Sequence, residues 1–268
     1  MPALTINGTE IYYEEHGTGP ETIIFAHGLL WSGDMFAPQI AALKDRYRCI
    51  TFDFRGQGRS EITRDGYDMD TLSEDATALI KALDGEPCHF VGLSMGGFVG
   101  MRLAIRHPEL LQSLVLLETS ADPEPRENIP RYRLLALITR WFGPALVANQ
   151  VMPIMFGQSF LNDPDRAELR AAWRLRLIAN NRVGITRAIK GVIERKGVYE
   201  DLGRIALPTL IIVGDQDVAT VPAKSERIHA QIPHSQLVII PNAGHTATIE
   251  EPEAVSEALQ VFFNTQRR

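Results

Sequence analysis

Residues 88–106 read CHFVGLSMGGFVGMRLAIR, and this stretch decides the fold. Its first six residues form a continuous apolar run, which is typical of a strand buried on both faces, and a helical pattern follows from Met95. The junction matches G-x-S-x-G around Ser94, a motif in which a strand turns sharply into a helix. Such a turn forces the serine into a sparsely allowed conformation, and side chains in place of Gly92 and Gly96 would collide. We therefore expect Ser94 to present its hydroxyl beyond the sheet as a nucleophile, rather than to lie in an ordinary surface turn.

Strand-like and helical segments alternate along most of the chain. Short apolar runs predict strands at 22–26, 48–53, 88–93, 113–118, 209–214 and 237–241, with an antiparallel hairpin near the start of the chain. Helices are predicted at 34–43, 71–83, 95–106, 222–231 and 252–263. Thr71 and Glu74 have the spacing of a capping box at a helix start. The alternation predicts an α/β fold with a mostly parallel eight-stranded sheet and helices on both faces.

This alternation stops between Glu118 and Pro208, where amphipathic helical stretches occur without a convincing strand. The charge changes there too, because residues 126–204 hold 14 Lys and Arg against 7 Asp and Glu, whereas the whole chain has a net charge of −6. Such a change suggests an insertion with its own surface. We predict a core domain formed by residues 1–120 and 206–268, with residues 121–205 inserted as a helical cap, or lid.

Composition narrows the classes of protein to which the chain can belong. The 268 residues are 45% hydrophobic and 22% charged, as in ordinary globular proteins. The negative net charge argues against nucleic acid as the main partner, and no apolar run is long enough to span a membrane. No cluster of His, Cys or carboxylates has metal-ligand spacing, so we expect neither a metal nor another cofactor. The amino terminus lacks the pattern of a signal peptide, which predicts a cytoplasmic protein with Cys49 and Cys88 reduced.

A serine hydroxyl needs a base to take its proton, and His245 is the best candidate of the seven histidines. It lies in the loop after the last predicted strand, at the sheet edge where Ser94 is expected. The other histidines fall within or beside predicted strands and helices, where a structural or solvated role is the simpler interpretation.

The imidazole in turn needs a carboxylate that orients it and stabilises its charged form. The segment GDQD at 214–217 follows a predicted strand and offers two aspartates. Asp217 is our first choice, because a tight turn at Gly214 would let this side chain reach back towards the histidine. Asp215 and Glu118 remain alternatives.

Acyl chemistry also needs N–H donors for the negatively charged oxygen that develops in the transition state, each worth a factor of about 10²–10³ in rate. We predict that the Met95 N–H, at the start of a helix, and the Leu29 N–H, in HGLLW at 27–31, form this pair. Gly28 would let the backbone approach a substrate, and His27 is expected to brace the loop rather than to react.

The glycine-rich stretch DFRGQGRS at 53–60 invites comparison with a phosphate-binding loop. Its spacing does not match a dinucleotide fingerprint, and the GK[ST] element of a P-loop is missing. We predict a structural turn in which Asp53 pairs with an arginine beneath the site.

Together these motifs resemble the α/β-hydrolase superfamily over essentially the whole chain. The resemblance rests on HG at 27–28, D-x-R-G-x-G-x-S at 53–60, GLSMGG at 92–97, GDQD at 214–217 and NAGH at 242–245, in the order that the family shows. It implies the α/β-hydrolase fold and a triad in the chain order Ser, Asp, His. Within the superfamily, the chain is similar to the serine carboxylesterases, 3-oxoadipate enol-lactonases and perhydrolases with a helical lid. Haloalkane dehalogenases and epoxide hydrolases differ, because they carry Asp at the elbow.

We therefore expect a serine hydrolase that cleaves a small-molecule carboxylic ester or lactone through an acyl-enzyme. Several large lid side chains are expected to roof the pocket, although each could simply pack in the core: Trp141, Phe142, Met152, Met155, Phe156 and Trp173. Lid arginines facing the site would favour an anionic substrate and a 3-oxoadipate enol-lactonase-like enzyme, whereas arginines on solvent faces of helices would not. A non-catalytic small-molecule receptor on the same fold is the remaining alternative.

Overall fold

A sheet of eight strands forms the centre of the protein. The computed structural model describes residues 2–266, and its strands are β1 (Ala3–Ile6), β2 (Thr9–His16), β3 (Glu21–Ala26), β4 (Tyr47–Phe52), β5 (Cys88–Leu93), β6 (Leu111–Leu117), β7 (Thr209–Gly214) and β8 (Gln236–Ile240). Side by side they follow the order β1-β2-β4-β3-β5-β6-β7-β8. Strand β2 pairs antiparallel with both β1 and β4, and the six strands from β4 to β8 in this order run parallel to one another. The predicted mostly parallel eight-stranded sheet is confirmed.

Helices cover both faces of this sheet. They are α1 (Ala37–Leu43), α2 (Met69–Ala82), α3 (Met95–Arg106), α4 (Ile129–Phe142), α5 (Ala148–Met155), α6 (Gln158–Asn162), α7 (Ala167–Ile178), α8 (Arg182–Ile193), α9 (Pro222–Gln231), α10 (Ala247–Glu250) and α11 (Pro252–Gln266). Ile23 and Phe25 of β3 pack in a core with residues of α1 and α11, while Ile24 and Ala26 pack in a second core with residues of α2 and α3. Because successive strand residues face opposite sides, both faces are buried, which explains the continuous apolar runs. Within residues 2–266, none of these helices combines the length and apolarity needed to cross a membrane.

The parallel register places the ends of several strands at one edge of the sheet. Ala26 pairs with Gly92, Leu93 pairs with Leu117, and Gly214 pairs with Ile240. The loops that follow β3, β5, β6, β7 and β8 therefore leave from a common edge. Ligand sites of open α/β sheets lie at this edge, beyond the carboxyl ends of the strands.

Helices α4 to α8 lie between β6 and β7, and we call them the helical insertion. Trp173 of α7 and Phe156, directly after α5, both pack against Trp31 in the loop after β3, with ring centroids 5.3 and 5.8 Å from that of Trp31. The helical insertion thus lies against the carboxyl edge of the sheet. The exact domain boundaries, 1–120 with 206–268 and 121–205, stay a prediction.

Helix α2 begins at Met69, two residues earlier than predicted. Asp68 is its N-cap, because the Oδ1 atom accepts from the Thr71 N–H at 2.9 Å and Oδ2 accepts from the Thr71 hydroxyl at 2.8 Å. Glu74 instead faces Arg106 and His107, each 3.8 Å away. The predicted Thr71–Glu74 capping box is wrong, since the aspartate upstream already satisfies the donors at the helix start.

Replacing Asp68 with Ala should lower the free energy of unfolding by about 1 kcal/mol, because an N–H at the start of α2 loses its acceptor. Glu74→Gln is the matched control: it alters only exposed charge contacts and should change stability by less than about 0.5 kcal/mol. Urea unfolding measures both. A larger loss for Glu74→Gln than for Asp68→Ala would contradict the assignment of the cap.

Candidate active site

Ser94 lies between β5 and α3 in a backbone conformation that L-amino acids rarely adopt. Its φ is 50° and its ψ is −106°. The backbone is held on both sides, because its N–H donates to the Leu117 carbonyl at 2.8 Å and its carbonyl accepts from the Thr119 hydroxyl at 2.8 Å. The last residue of the neighbouring strand β6 and Thr119, two positions after it, therefore fix the strained turn that the motif predicted.

The two glycines of the motif are required for space. A Cβ at Gly92 would lie 2.3 Å from the Gly96 carbonyl oxygen, and a Cβ at Gly96 would lie 2.1 Å from the Ala26 carbonyl oxygen. Both distances are far below contact distance, and both neighbours are backbone atoms that cannot turn aside. The collisions expected from the sequence are confirmed.

His245 lies in the loop after β8, and its ring joins two distant residues. Its Nε2 is 2.9 Å from Ser94 Oγ, and its Nδ1 is 2.8 Å from Asp217 Oδ2. A neutral imidazole that accepts the serine hydroxyl proton at Nε2 carries its own proton at Nδ1 and donates it to the carboxylate. The structure thus brings together the three side chains that we singled out from the sequence.

Asp217 is buried after β7 and accepts four hydrogen bonds. Its Oδ1 accepts from the N–H groups of Ala219 and Thr220 at 2.8 and 2.9 Å, and its Oδ2 accepts from the Thr220 hydroxyl at 2.8 Å and from His245. Burial raises the pKa of Asp217, but the imidazole and the Thr220 donors outweigh burial and leave this pKa below its usual value. The carboxylate therefore stays ionised at neutral pH.

The two alternative carboxylates do not take this place. Asp215 is exposed, whereas Glu118 is buried but, within residues 2–266, neither of its carboxyl oxygens has a hydrogen-bond partner. Burial raises the pKa of Glu118 well above its usual value, and the negative charges of Asp217 and Glu250 raise it further. Both effects favour the protonated, uncharged form of the Glu118 carboxyl.

Glu250, which sequence reasoning missed, holds the loop that carries His245. Its Oε2 accepts from the N–H groups of Gly244 and Gly157 at 3.0 and 2.8 Å. Its Oε1 accepts from the N–H and the hydroxyl of Thr246 at 3.1 and 2.9 Å. One buried carboxylate thus fixes both neighbours of the histidine and ties them to the helical insertion. No local motif signals this role, because Gly157 is 93 positions away in the chain.

The N–H groups that we predicted to stabilise an oxyanion belong to the start of α3 and to the loop after β3. Met95 is the first residue of α3, and Leu29 lines the cavity above Ser94. Neither N–H donates to a carbonyl or side chain within residues 2–266. Both donors are therefore available to a ligand, and their use in binding stays a prediction.

Gln57 and His27 brace the loop that carries Leu29. Gln57 Oε1 accepts from the Leu30 N–H at 2.9 Å, and this brace was not foreseen from the sequence. His27 donates from Nδ1 to the Gly28 carbonyl at 2.7 Å and accepts at Nε2 from the Phe54 N–H at 3.0 Å. This pattern needs a neutral ring, and burial lowers the pKa of His27 accordingly. His27 is a brace, as predicted.

Asp53 organises the turn at residues 53–60. Its Oδ1 accepts from the Gly33 N–H at 2.8 Å, and its Oδ2 accepts from the Arg59 N–H at 2.8 Å and lies 3.6 Å from Arg59 Nε. The turn is therefore built around an aspartate–arginine pair, as predicted, and it supports the loop after β3.

A cavity of about 120 Å³ opens above Ser94 and His245. Aliphatic side chains of the helical insertion form most of its wall: Leu135, Val147, Val151, Ile154, Met155, Leu177, Ile189, Val192 and Ile193. The predicted roof is largely wrong, because Met155 is its only member in this wall within residues 2–266. Trp141 and Phe142 are 67% and 72% exposed, since the end of α4 turns them to solvent. The other three predicted residues, Met152, Phe156 and Trp173, are buried in the neighbouring core.

Arg195 is the one basic residue of segment 126–204, all of which the structure describes, that lines this cavity. Its Nη1 lies 2.7 Å from Glu124 Oε2, and the two side chains are only 4% and 8% exposed. The other basic residues of the segment are exposed or half-buried and lie outside the cavity wall. The positive charge of the segment is thus directed mainly to solvent, and sequence reasoning did not find this buried pair.

Comparison with known proteins gives the family. A model of the family described as the alpha/beta hydrolase fold matches residues 21–252. The chain is 31% identical over 269 residues to a protein of Caulobacter sp. (strain K31) that is provisionally named carbamate hydrolase RutD, with 98% of each chain covered. The chain therefore belongs to the α/β-hydrolase family, and the resemblance noted from its motifs is confirmed.

Two solved structures are similar over nearly the full chain. An enol-lactonase from Burkholderia xenovorans LB400 has a TM-score of 0.91 and 27% identity, covering 98% of this chain and 100% of that chain. A thermophilic esterase from Thermogutta terrifontis has a TM-score of 0.92 and 28% identity, covering 100% of this chain and 99% of that chain. The predicted α/β-hydrolase fold is thus confirmed.

Replacing Glu118 with Gln should make the free energy of unfolding fall less steeply as the pH rises above about 4. In the unfolded chain Glu118 ionises near pH 4.3, whereas its raised pKa in the folded protein retains the proton. Above that pH the folded state binds one proton more than the unfolded state, so the free energy of unfolding falls by about 1.4 kcal/mol per pH unit until the folded pKa is passed. Glutamine does not titrate.

As the pH rises from about 4 to about 8, the free energy of unfolding of Glu118→Gln should therefore increase relative to that of the parent protein. Urea unfolding at several pH values measures it, with Glu127→Gln as the control at an exposed position. A difference that stays constant over this pH range would contradict a buried, protonated Glu118.

Proposed function

We propose that this member of the α/β-hydrolase family is a serine hydrolase that cleaves small, uncharged carboxylic esters. The observation that carries the proposal is the line of hydrogen bonds from Ser94 through His245 to Asp217, which meets a cavity with apolar walls. In this arrangement a nucleophile, a base and a carboxylate that orients the base are already in contact. No large rearrangement is needed before the first bond forms.

In the first half of the reaction, Ser94 Oγ attacks the ester carbonyl carbon while its proton passes to His245 Nε2. Asp217 stabilises the imidazolium that results. The N–H groups of Leu29 and Met95 stabilise the negative charge on the former carbonyl oxygen. When the tetrahedral intermediate collapses, the bond to the alcohol oxygen breaks, and His245 gives its proton to that oxygen.

In the second half, water releases the acyl group from Ser94. His245 takes a proton from the water as its oxygen attacks the acyl-enzyme carbonyl, and the same two N–H donors serve again. Collapse of this second intermediate breaks the bond to Ser94 Oγ, which recovers the proton from His245. The products are a carboxylic acid and an alcohol.

The cavity favours a small and uncharged substrate. Its volume of about 120 Å³ resembles that of the apolar cavities that bind a single benzene ring, of about 150 Å³. Arg195 supplies the one cationic side chain in the wall within residues 2–266, and Glu124 balances its charge. A carboxylate substrate would therefore meet little net positive charge.

A 3-oxoadipate enol-lactonase-like activity is the second candidate. It is supported by the presence of Arg195 in the cavity wall and by the similarity to the enol-lactonase of Burkholderia xenovorans. The same three side chains would open an enol-lactone ring by the same steps: the leaving enolate takes the proton from His245 and stays attached to the acyl group through the carbon chain. The two candidates differ only in how the site responds to the charge of the substrate.

The Ser94→Ala variant should lose about 10³-fold or more in kcat on short p-nitrophenyl esters, because its nucleophile is gone. Ser32→Ala is a suitable control, since Ser32 makes no side-chain cap bond and lies outside the cavity wall. Its kcat should stay within about twofold of the parent value. An undiminished rate in Ser94→Ala, or no turnover by the parent protein, would favour the non-catalytic receptor.

A substrate panel distinguishes the two enzyme candidates. The parent protein should show a higher kcat/KM for short uncharged esters than for an anionic enol-lactone, because the cavity wall is apolar and nearly neutral. A carbamate belongs in the panel as well, given the name of the Caulobacter relative. A kcat/KM that favours the lactone by more than about a hundredfold, or roughly 2.7 kcal/mol, would replace the first candidate with the second.

A further inference from the structure

Arg195 is a rigid part of the cavity wall. Its Nε donates to the Asp122 carbonyl at 3.2 Å, and its Nη1 donates to Glu124 Oε2 at 2.7 Å and to the Val192 carbonyl at 2.8 Å. Its guanidinium carbon lies 4.2 Å from the centre of the Phe98 ring. Three acceptors and one aromatic face thus fix the orientation of this side chain.

The remaining nitrogen, Nη2, has no acceptor within residues 2–266. The Arg195 side chain is only 4% exposed, but Nη2 is not one of the fully buried polar atoms that lack a partner, so this nitrogen keeps some accessible surface. Because Arg195 itself lines the cavity above Ser94, a ligand or an ordered water in the cavity can accept from Nη2. The guanidinium contacts Glu124 and Phe98, which both line the cavity above Ser94, so a partner for Nη2 is expected there.

Phe98 lies between this donor and the nucleophile in the cavity wall. Phe98 lies one helical turn after Ser94, and its N–H donates to the Ser94 carbonyl at 3.0 Å. The Arg195 guanidinium stacks on the Phe98 ring, and Ser94, Phe98 and Arg195 all line the same cavity. A single bound substrate can therefore contact both the serine and the guanidinium.

The charge of the surroundings selects the kind of acceptor. Glu124 balances Arg195 and also accepts from Asn128 Nδ2 at 3.0 Å, so the carboxylate is held beside the guanidinium. A substrate carboxylate that binds to Arg195 would lie close to the Glu124 carboxylate, and the two negative charges would repel each other. A neutral oxygen, such as a ketone, ether or amide carbonyl, can accept from Nη2 without this penalty.

We infer that Arg195 is a specificity-determining residue that donates a hydrogen bond to a second, uncharged oxygen of the substrate, separate from the ester group that Ser94 attacks. This inference rests on the proposed function. It narrows the substrate class from small esters in general to esters whose acyl or alcohol part carries a further ketone, ether or amide oxygen.

Two matched pairs of esters test the inference. The acyl pair is p-nitrophenyl 5-oxohexanoate and p-nitrophenyl hexanoate, and the alcohol pair is 3-methoxypropyl acetate and pentyl acetate. In at least one of the two pairs, the ester with the extra oxygen should have a kcat/KM about ten- to hundredfold higher than the ester without it in the parent protein. A hydrogen bond to a charged group has an effect of this size. The anionic mono-p-nitrophenyl glutarate should be a poorer substrate than the 5-oxohexanoate.

Variants connect this preference to the donor. The double variant Glu124→Gln with Arg195→Met removes the donor without leaving a buried unpaired charge, and the ratio within the preferred pair should fall to one or below. Arg182→Met is the control: Arg182 begins α8 at an exposed position outside the cavity wall, and this variant should keep the parent ratio. Glu124→Gln alone keeps the donor but removes the balancing charge, so the rate on the glutarate relative to the 5-oxohexanoate should rise at least about tenfold.

The outcomes separate this inference from the proposed function. Turnover of the plain esters with no preference in either pair, or a preference that survives in the double variant, would overturn the role of Arg195 and leave the serine hydrolase intact. Loss of turnover on every ester would overturn both. Circular dichroism shows whether the double variant folds. If it does not, the test is the rate of Glu124→Gln on the glutarate relative to its rate on the 5-oxohexanoate. A ratio equal to that of the parent protein would count against the inference.

Discussion

The strained backbone of Ser94 is the constraint on which the rest of the site depends. A residue other than glycine at φ 50° and ψ −106° costs about 1–3 kcal/mol and persists only where its neighbours over-determine it. Here the Leu117 carbonyl and the Thr119 hydroxyl hold its two peptide groups, while Gly92 and Gly96 leave room for the turn. This strain directs the hydroxyl out of the sheet and towards His245.

The parallel sheet makes the remaining contacts possible, because it brings the ends of distant strands to one edge. Ser94 and His245 are 151 positions apart in the chain, yet their side chains are 2.9 Å apart. Buried polar groups then fix each loop: Glu250 holds the neighbours of His245, and Thr220 donates to Asp217 through its N–H and its hydroxyl. Hydrogen bonds behind Ser94 and His245 therefore hold the two side chains in place before any ligand binds.

Most of the fold and the three contacting side chains could be predicted, because both depend on local patterns. Continuous apolar runs mark buried strands, and G-x-S-x-G marks a turn whose sterics are local to a few residues. Three features could not be predicted: the hydrogen bonds of Glu250 to the loop that carries His245, the Glu124–Arg195 pair and the aliphatic wall of the cavity. Each depends on contacts between segments that are far apart in the chain. The prediction of the α2 cap was wrong for another reason. Asp68 and Thr71 are both suitable N-cap residues, and only the structure shows that Asp68 is the cap and that Thr71 lies inside the helix.

The most direct test of the proposed catalytic arrangement is a crystal structure of the protein after reaction with a p-nitrophenyl phosphonate ester. We expect a covalent bond between phosphorus and Ser94 Oγ, with the phosphonyl oxygen about 2.7–3.1 Å from the backbone nitrogens of Leu29 and Met95. His245 Nε2 should lie within hydrogen-bond distance of the serine oxygen or the departing group. Phosphorus bound to another residue, or a phosphonyl oxygen turned away from both nitrogens, would contradict the arrangement.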